Sequence, residues 1–480
     1  MSNLRIKILS GVFWQGLERI GSQGMYLVVS IVLARLLAPK EFGVVALLTV
    51  FVTLCNVAVD SGFGTALIQK KDADQLDFCS VFYINIVMGV VLYGVLFLCA
   101  PWIAKFYDSS ELILYMRVMA LALIINSFSQ IQRTILSKNM LFYLSFRISW
   151  GALIISGAIG IVMAYCGFGV WALIAQTLSS ACVGCVLLWF LVRWRPSFLF
   201  NFSRAWKLFQ FGWKMLVSGF LDALYNDIYS VVIGKIASLT DLAFYNRGRT
   251  IPALSIGVVN STIGSVLFPA FSEIQHDRTK MRELAKRGLY NIMFLVIPAL
   301  TLLFIFAEPF VRVVLTDKWL PCVIYLRLCC VIFFFWPFHT TNLQIIIACG
   351  RSDLFLLLEI IKKGQAALVI FATYRYGVET MVTVGAAMGI VNFTENAWFN
   401  RKLIGYAPWT QLWDVLPMFL IAAVAGGGVY WGVRFIASPW GKIIAGGSAF
   451  AVFYLFGAFA FRLFPPDILN MLRRRSVVNG

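Results

Sequence analysis

Imidazole is almost missing from this chain: His276 and His339 are the only histidines in 480 residues. Neither lies near a cysteine cluster, so a mixed His/Cys metal site has nowhere to form. Charge is scarce too, at 13% of residues against 60% hydrophobic. Soluble domains carry about 25% charged and 45–50% apolar residues. That difference excludes a soluble globular protein and requires an integral membrane protein. Catalytic signatures are also missing. The sequence has no G-x-x-x-x-G-K-[ST] phosphate loop, no H-E-x-x-H and no G-x-S-x-G. Without the phosphate loop, any transport runs on an ion gradient, the membrane potential or the substrate's own gradient. No large loop gathers the paired acids or histidine that a membrane glycosyltransferase, polymerase or ligase needs. Acids are outnumbered 22 to 40 by Lys and Arg, for a net charge of +18. No basic soluble domain exists to carry that charge to nucleic acid, so the basic residues flank membrane spans instead.

The ten cysteines fall mostly inside apolar runs. Cys182-Val-Gly-Cys185 has redox spacing, but "SSACVGCVLLWF" reads as a small-residue helix face for packing. No cofactor or metal is implied.

What is present is a series of apolar runs over the whole length. A hydrocarbon core takes about 20 residues per helix, and roughly fourteen such spans fit. The first covers 10–37, the second 42–68, the fourth 112–137, the seventh 206–237, the eighth 248–272, the eleventh 354–374 and the twelfth 377–400. The first is too long for a signal peptide and reads as a retained span. Lys and Arg concentrate in alternate loops, among them Lys70, Lys71, Lys138, Arg193, Arg195, Arg204, Lys207, Lys286, Arg287 and Arg401. The positive-inside rule makes these loops and both termini cytoplasmic.

An internal repeat sets the organisation. Arg35 lies 21 residues after Trp14, and Lys235 lies 22 after Trp213. Each is followed by an acid, Glu41 or Asp241, and then an aromatic. The copies fall at spans one and seven. Six intervening helices give both the same direction. The expected fold is an all-α integral membrane protein of two six-helix lobes in a parallel pseudo-twofold repeat, with two additional C-terminal helices. The lobes are residues 1–200 and 201–408. Spans thirteen and fourteen occupy 409–464, and a basic tail covers 465–480.

Polar residues inside the spans recur every three or four positions, which is one helix face. Span one carries Gln15, Arg19, Ser22, Tyr26 and Ser30; span four carries Asn126, Gln130, Arg133 and Ser137. Span seven carries Asp222, Asn226, Asp227, Tyr229 and Ser230. Span two adds Asp60, span eleven Glu359, Lys362 and Lys363, and span twelve Asn392, Glu395 and Asn396. Ionisable residues in a membrane face the bundle interior or a wet cavity. Stripes in both halves require a shared polar space, though Glu359 and Lys363 are also spaced for a local i,i+4 pair.

"LARLLAPKEFGVVALLTVFVTLCNVAVDSGFGTALIQKKD" (Leu33–Asp72) resembles the signature region of Wzx-type polysaccharide exporters, and "SVLFPAFSEIQHD" (Ser265–Asp277) resembles a second stretch of that family. These exporters belong to the multidrug/oligosaccharidyl-lipid/polysaccharide flippase superfamily. The resemblance points to the branch similar to colanic acid and teichuronic acid exporters. It implies a bacterial inner-membrane flippase for undecaprenyl-diphosphate-linked sugar repeat units, working by alternating access and not as an enzyme. It further implies a lipid-linked oligosaccharide and membrane lipids as partners. H+ or Na+, a polysaccharide polymerase and a chain-length regulator are additional candidates. A diphosphate needs cations along its route. Arg19 and Arg133 are the first candidates, followed by Arg247, Arg249 and Lys363, with Gln130 beside them. Asp60, Asp222 and Asp227 are candidates for ion coupling or a cavity ion pair. A drug or metabolite antiporter of the same superfamily is the alternative, and the cavity arginines argue against it.

Overall fold

The computed structural model describes residues 21–60, 62–262 and 267–465. Among them every regular element is helical. In chain order they are α1 (Gly21–Leu36), α2 (Pro39–Asp60), α3 (Phe63–Gln69), α4 (Gln75–Phe106), α5 (Leu112–Met119), α6 (Leu121–Lys138), α7 (Phe142–Tyr165), α8 (Val170–Leu191), α9 (Phe202–Ile236) and α10 (Leu239–Thr262). There follow α11 (Phe268–Glu273), α12 (Arg278–Ile305), α13 (Ala307–Val314), α14 (Cys322–Phe334), α15 (Trp336–Ala348), α16 (Ser352–Thr373), α17 (Val378–Ile404), α18 (Pro408–Gly432) and α19 (Pro439–Ala460).

Ten helical segments among the described residues are long and apolar enough to cross a membrane. A bilayer offers no water to unpaired backbone groups, so a helix that satisfies them internally is the form such runs must take. Three further helices have the length but more charge. These are α10 with Asp241, Arg247 and Arg249, α16 with Asp353, Glu359, Lys362 and Lys363, and α17 with Glu379, Glu395, Arg401 and Lys402. The remaining expected span, 10–37, lies partly outside the described residues.

The chain divides into two compact units, Met1–Ala243 and Phe244–Gly480. Unit 1 therefore includes α9, which packs along α2, α3 and α4. Backbones touch at two points along that seam. A Cβ on Gly43 would run into the Leu239 carbonyl, and one on Gly62 into the Gly212 carbonyl. Gly62 also has φ +70°, which separates α2 from α3 and which a larger residue resists. Elsewhere in unit 1, Val29 and Leu33 of α1 and Leu37 just after it pack with Ala164, Ala172 and Leu173 of the α7–α8 hairpin.

The repeat expected from the ends of spans one and seven extends through much of the order of elements, with α13 an insertion in the second copy. A long helix followed by a short one (α2 then α3; α10 then α11) precedes a long span (α4; α12). A broken span comes next (α5 then α6; α14 then α15), and then a hairpin (α7, α8; α16, α17). Local hydrogen bonds recur with it. The Ala38 amide donates to Glu41 Oε2 at 2.6 Å, and the Ser238 amide to Asp241 Oδ2 at 3.2 Å. Asp74 caps α4 through the Asp77 amide, and Asp277 caps α12 through the Lys280 amide. The turns after α6 and α15 share one helix-ending motif. Leu141 N–H reaches Leu136 O at 2.9 Å, and Arg351 N–H reaches Ile346 O at 3.1 Å. The residues before them, Met140 and Gly350, are both left-handed, at φ 55° and 74°.

Candidate functional site

In unit 1 the polar stripes of spans two and four meet. Asn126 Nδ2 donates to Asn56 Oδ1 at 3.1 Å, and Gln130 Nε2 donates to Asp60 Oδ1 at 2.7 Å. One turn further on, a Cβ at Gly64 would stand 3.0 Å from Asp60 Oδ1 and 3.3 Å from Thr134 Oγ1. The partners are always 70 residues apart, so the two helices run side by side in the same direction with one register. Two of the sequence candidates, Asp60 and Gln130, are thus brought into direct contact. Arg133 is exposed on the neighbouring face of α6, and a Cβ on Gly184 of α8 would lie 3.5 Å from its guanidinium.

The ladder continues into a charged cluster at its basic end. Lys138 Nζ donates to the carbonyls of Leu67 at 2.8 Å and Lys70 at 2.6 Å, closing the end of α3. Lys70 Nζ pairs with Asp77 at 2.5 Å, and Arg204 of α9 pairs with Asp74 at 2.6 Å and reaches Asp77 at 3.8 Å. Asp77 is wholly buried. Asp74 and Asp77 form a reciprocal capping box at the start of α4. The Arg204 guanidinium, together with the Asp77 amide, holds the Asp74 carboxyl down to about 2. Sequence reading used Lys70, Lys138 and Arg204 only as topology markers and passed over Asp74 and Asp77. The available signal was the D-x-x-D spacing before an apolar run, which is a helix start.

On α9, Asp222 and Asn226 are exposed, Asp227 is half-buried and Ser230 is buried. At the far end of this helix, Lys235 Nζ donates to Phe106 O at 2.6 Å and to Asp108 at 3.0 Å. Arg19, with Trp14 and Gln15, lies outside the described residues.

In unit 2, Arg247 is buried with its guanidinium 5.1 Å from the centre of the Trp319 ring, a cation–π arrangement. Arg249 is half-buried two residues on. Lys363 is 3.7 Å from Glu359, whereas Lys362 is closer to that carboxylate, at 2.6 Å. The twelfth-span stripe is engaged as well. Gln365 Nε2 donates to Glu395 Oε1 at 2.5 Å, and the Asn396 amide nitrogen lies 3.2 Å from the His339 ring. A second group had no advance signal because its amides come from three separate helices. Asn400 Nδ2 donates to Asn342 Oδ1 at 2.6 Å, Asn342 Nδ2 to Gln411 Oε1 at 2.8 Å, and Gln411 Nε2 back to Asn342 Oδ1 at 2.9 Å. From there Gln411 donates to the Tyr406 carbonyl, Tyr406 Oη to Asp414, and Lys286 to Asp414 at 2.6 Å.

Among the described residues, no group of three or more His, Cys, Asp or Glu is placed to hold a metal ion. The arrangement places polar and charged side chains at the contacts between helices within each unit.

The chain is 25% identical over 430 residues to the teichuronic acid biosynthesis protein TuaB of Bacillus subtilis, covering 89% of each chain. It is 25% identical over 333 residues to the lipopolysaccharide biosynthesis protein WzxC of Escherichia coli, covering 69% of this chain and 68% of that one. The solved lipid II flippase MurJ, in an inward closed conformation, shares the fold with a TM-score of 0.74. The match covers 93% of this chain and 98% of MurJ at 14% identity. Residues 32–324, well over half of the sequence, match the polysaccharide biosynthesis protein family, and the chain belongs to that family.

Proposed function

We propose that the protein is a flippase that moves undecaprenyl-diphosphate-linked oligosaccharide repeat units from the cytoplasmic to the periplasmic leaflet of a bacterial inner membrane, for surface polysaccharide assembly. The observation that carries this reading is the family match over residues 32–324 in a chain built from apolar spanning helices. The polar ladder of Asn56, Asp60, Asn126 and Gln130 inside those helices supports it, because a sugar diphosphate cannot cross bare hydrocarbon. Transport, not catalysis, is the activity, and both termini are cytoplasmic. Arg19, Arg133, Arg247, Arg249 and Lys363 supply cations to the diphosphate, with Gln130 contributing an amide. Asp60, Asp222 and Asp227 hold the path's ion pairs or respond to H+ or Na+. A polymerase and a chain-length regulator take up the product on the far side.

The test is reconstitution. Proteoliposomes holding the full chain are loaded with a fluorescent undecaprenyl-diphosphate oligosaccharide, and its exposure to an external quencher is followed. The reading requires protein-dependent exposure of the inner-leaflet pool, and loss of at least tenfold in rate with Arg19→Ala at equal reconstitution. Exposure no faster than in empty liposomes overturns the reading. A normal rate with Arg19→Ala removes that residue from the path.

A further inference from the structure

The segment joining α8 to α9, "VRWRPSFLFN" (192–201), has no regular structure, yet it is not loose. It is tied to one face of α4. Gln75 Nε2 donates to the Arg195 carbonyl at 2.7 Å, and Trp194 Nε1 donates to Gln75 Oε1 at 2.7 Å. Tyr83 Oη donates to the Ser197 carbonyl at 3.1 Å, the Ser197 amide to Cys79 Sγ at 3.3 Å, and the Asn201 amide to Ser80 Oγ at 3.0 Å. Val192 and Trp194 of the strap pack inward, and the apolar side chains that follow turn outward. Phe198 is fully exposed, and Leu199, Phe200, Phe202 and Trp206 are each about half exposed or more. Phe202 and Trp206 stack, with ring centres 6.2 Å apart.

Along the strap and the first turns of α9 the chain's own charge has one sign. From Val192 to Leu221 the chain carries Arg193, Arg195, Arg204, Lys207 and Lys214 and no acid at all. Arg204 is engaged with Asp74 and Asp77 of α4. Arg195 donates to the carbonyls of Val192 and Trp194 and, in a short contact, of Trp189, so its positive charge meets only neutral partners. Arg193 and Lys207 are exposed.

Depth completes the argument. The 32 residues of α4 extend about 48 Å at 1.5 Å each, about 18 Å more than a hydrocarbon core. The strap follows α4 from Gln75 to Tyr83, about 12 Å along its axis, a distance within the length by which α4 exceeds the hydrocarbon core. Exposed aromatics and uncompensated basic residues at that depth are the combination that an interface with anionic lipid favours.

We infer that residues 193–207 form an interfacial anchor that seats Phe198, Phe200 and Trp206 among the headgroups and binds anionic phospholipid through Arg193, Arg195 and Lys207. Because the strap leads directly into α9, bound lipid would hold the end of that helix where Arg204 meets α4.

The experiment reads lipid proximity and needs no transport, so it is independent of the substrate assigned above. In the full chain, every cysteine except the buried Cys79, Cys322, Cys329 and Cys330 is replaced by alanine. A fluorophore is then attached through Phe198→Cys, a position that packs against nothing. The protein is placed in nanodiscs of phosphatidylcholine containing equal small fractions of doxyl-labelled phosphatidylglycerol or doxyl-labelled phosphatidylcholine. The expected result is quenching by both lipids, with phosphatidylglycerol more effective by about fivefold, the effect of a single basic side chain near an anionic surface. Adding Arg193→Gln, Arg195→Gln and Lys207→Gln removes the preference and leaves the quenching by phosphatidylcholine. Equal quenching by the two lipids before those changes overturns the anionic-lipid site. No quenching by either places the strap in water and overturns the anchor.

Discussion

At the basic end of unit 1 the buried polar group is a charge: Asp77 is wholly buried and pairs with Lys70 at 2.5 Å. In unit 2 a wholly buried network is built from amides, Asn342, Asn400 and Gln411, and charge joins that network only at its rim, through Lys286 and Asp414. The two arrangements differ in what a perturbation does. A buried ion pair tolerates little, because removing one partner strands the other in a low dielectric. An amide network is cheaper to bury and has no protonation state to change near neutral pH. The charged cluster sits where α3, α4, α6 and α9 converge, at the junction of the two sequence repeats. The amide network ties α15, α17 and α18 together within unit 2. The difference makes the charged cluster a responsive junction and the amide network a fixed scaffold.

The sharpest way to break this contrast is Asp77→Ala. It strands Lys70, removes half of the capping box and frees one of the contacts of Arg204. Lys70 keeps about a third of its side chain exposed, which lessens the penalty. The expected loss is about 2–3 kcal/mol, below the range for a wholly buried broken pair. Thermal unfolding in detergent reads it. Asp77→Asn should recover part of the loss through the retained cap. If Asp77→Ala unfolds at the wild-type temperature, the cluster holds nothing together.

A smaller effect is expected from Asn342→Leu in unit 2. It leaves Asn400 and Gln411 without their shared partner, at about 1–3 kcal/mol. Changing Asn342, Asn400 and Gln411 together to apolar residues of similar size should cost less than the single change, since no buried donor is then stranded. Flipping by the triple variant should stay within about twofold of wild type once reconstitution is equalised, half a kcal/mol being the noise of a neutral site. A tenfold loss of rate in a well-folded triple variant would make the amides part of the path and end the scaffold assignment.

How much of this was legible in the sequence follows from the same distinction. The helical fold, the membrane and the duplication are written in apolar runs and in the Arg35/Glu41 and Lys235/Asp241 pairs, which recur as matching helix starts. Gln130 was legible because a 3.6-residue period in a membrane helix marks a face, and Asp60 because an acid inside an apolar run needs a polar neighbour; the two meet at 2.7 Å. Two features were not. Asn342, Asn400 and Gln411 lie in three helices, and nothing local relates amides 58 and 69 residues apart. Asp74 and Asp77 sit in a loop and a first helical turn, where acids are ordinary caps, and only the arrival of Arg204 130 residues later makes them a junction. Periodicity reports what a helix presents, and it does not report which distant helix answers.

The smallest expected effect tests the junction by pH. Arg204, hydrogen-bonded to Asp74, is the largest influence holding that carboxyl down to about 2. A carboxyl with a depressed folded-state value contributes stability that is fully present above its ordinary value near 4 and is lost as pH falls toward the folded-state value. Wild type and Arg204→Ala should therefore differ in unfolding temperature by a constant amount above about pH 5, and the difference should shrink between about pH 4 and pH 2. Because Arg204 and Asp74 are both around half exposed, the difference is modest and salt reduces it further. The comparison with unit 2 supplies the control. Asn342→Leu removes no titrating group, so its difference from wild type should stay flat across the same range. A gap between wild type and Arg204→Ala that is equally flat down to pH 2 would mean that Arg204 acts through packing of its stem alone, and that Asp74 is only a helix cap.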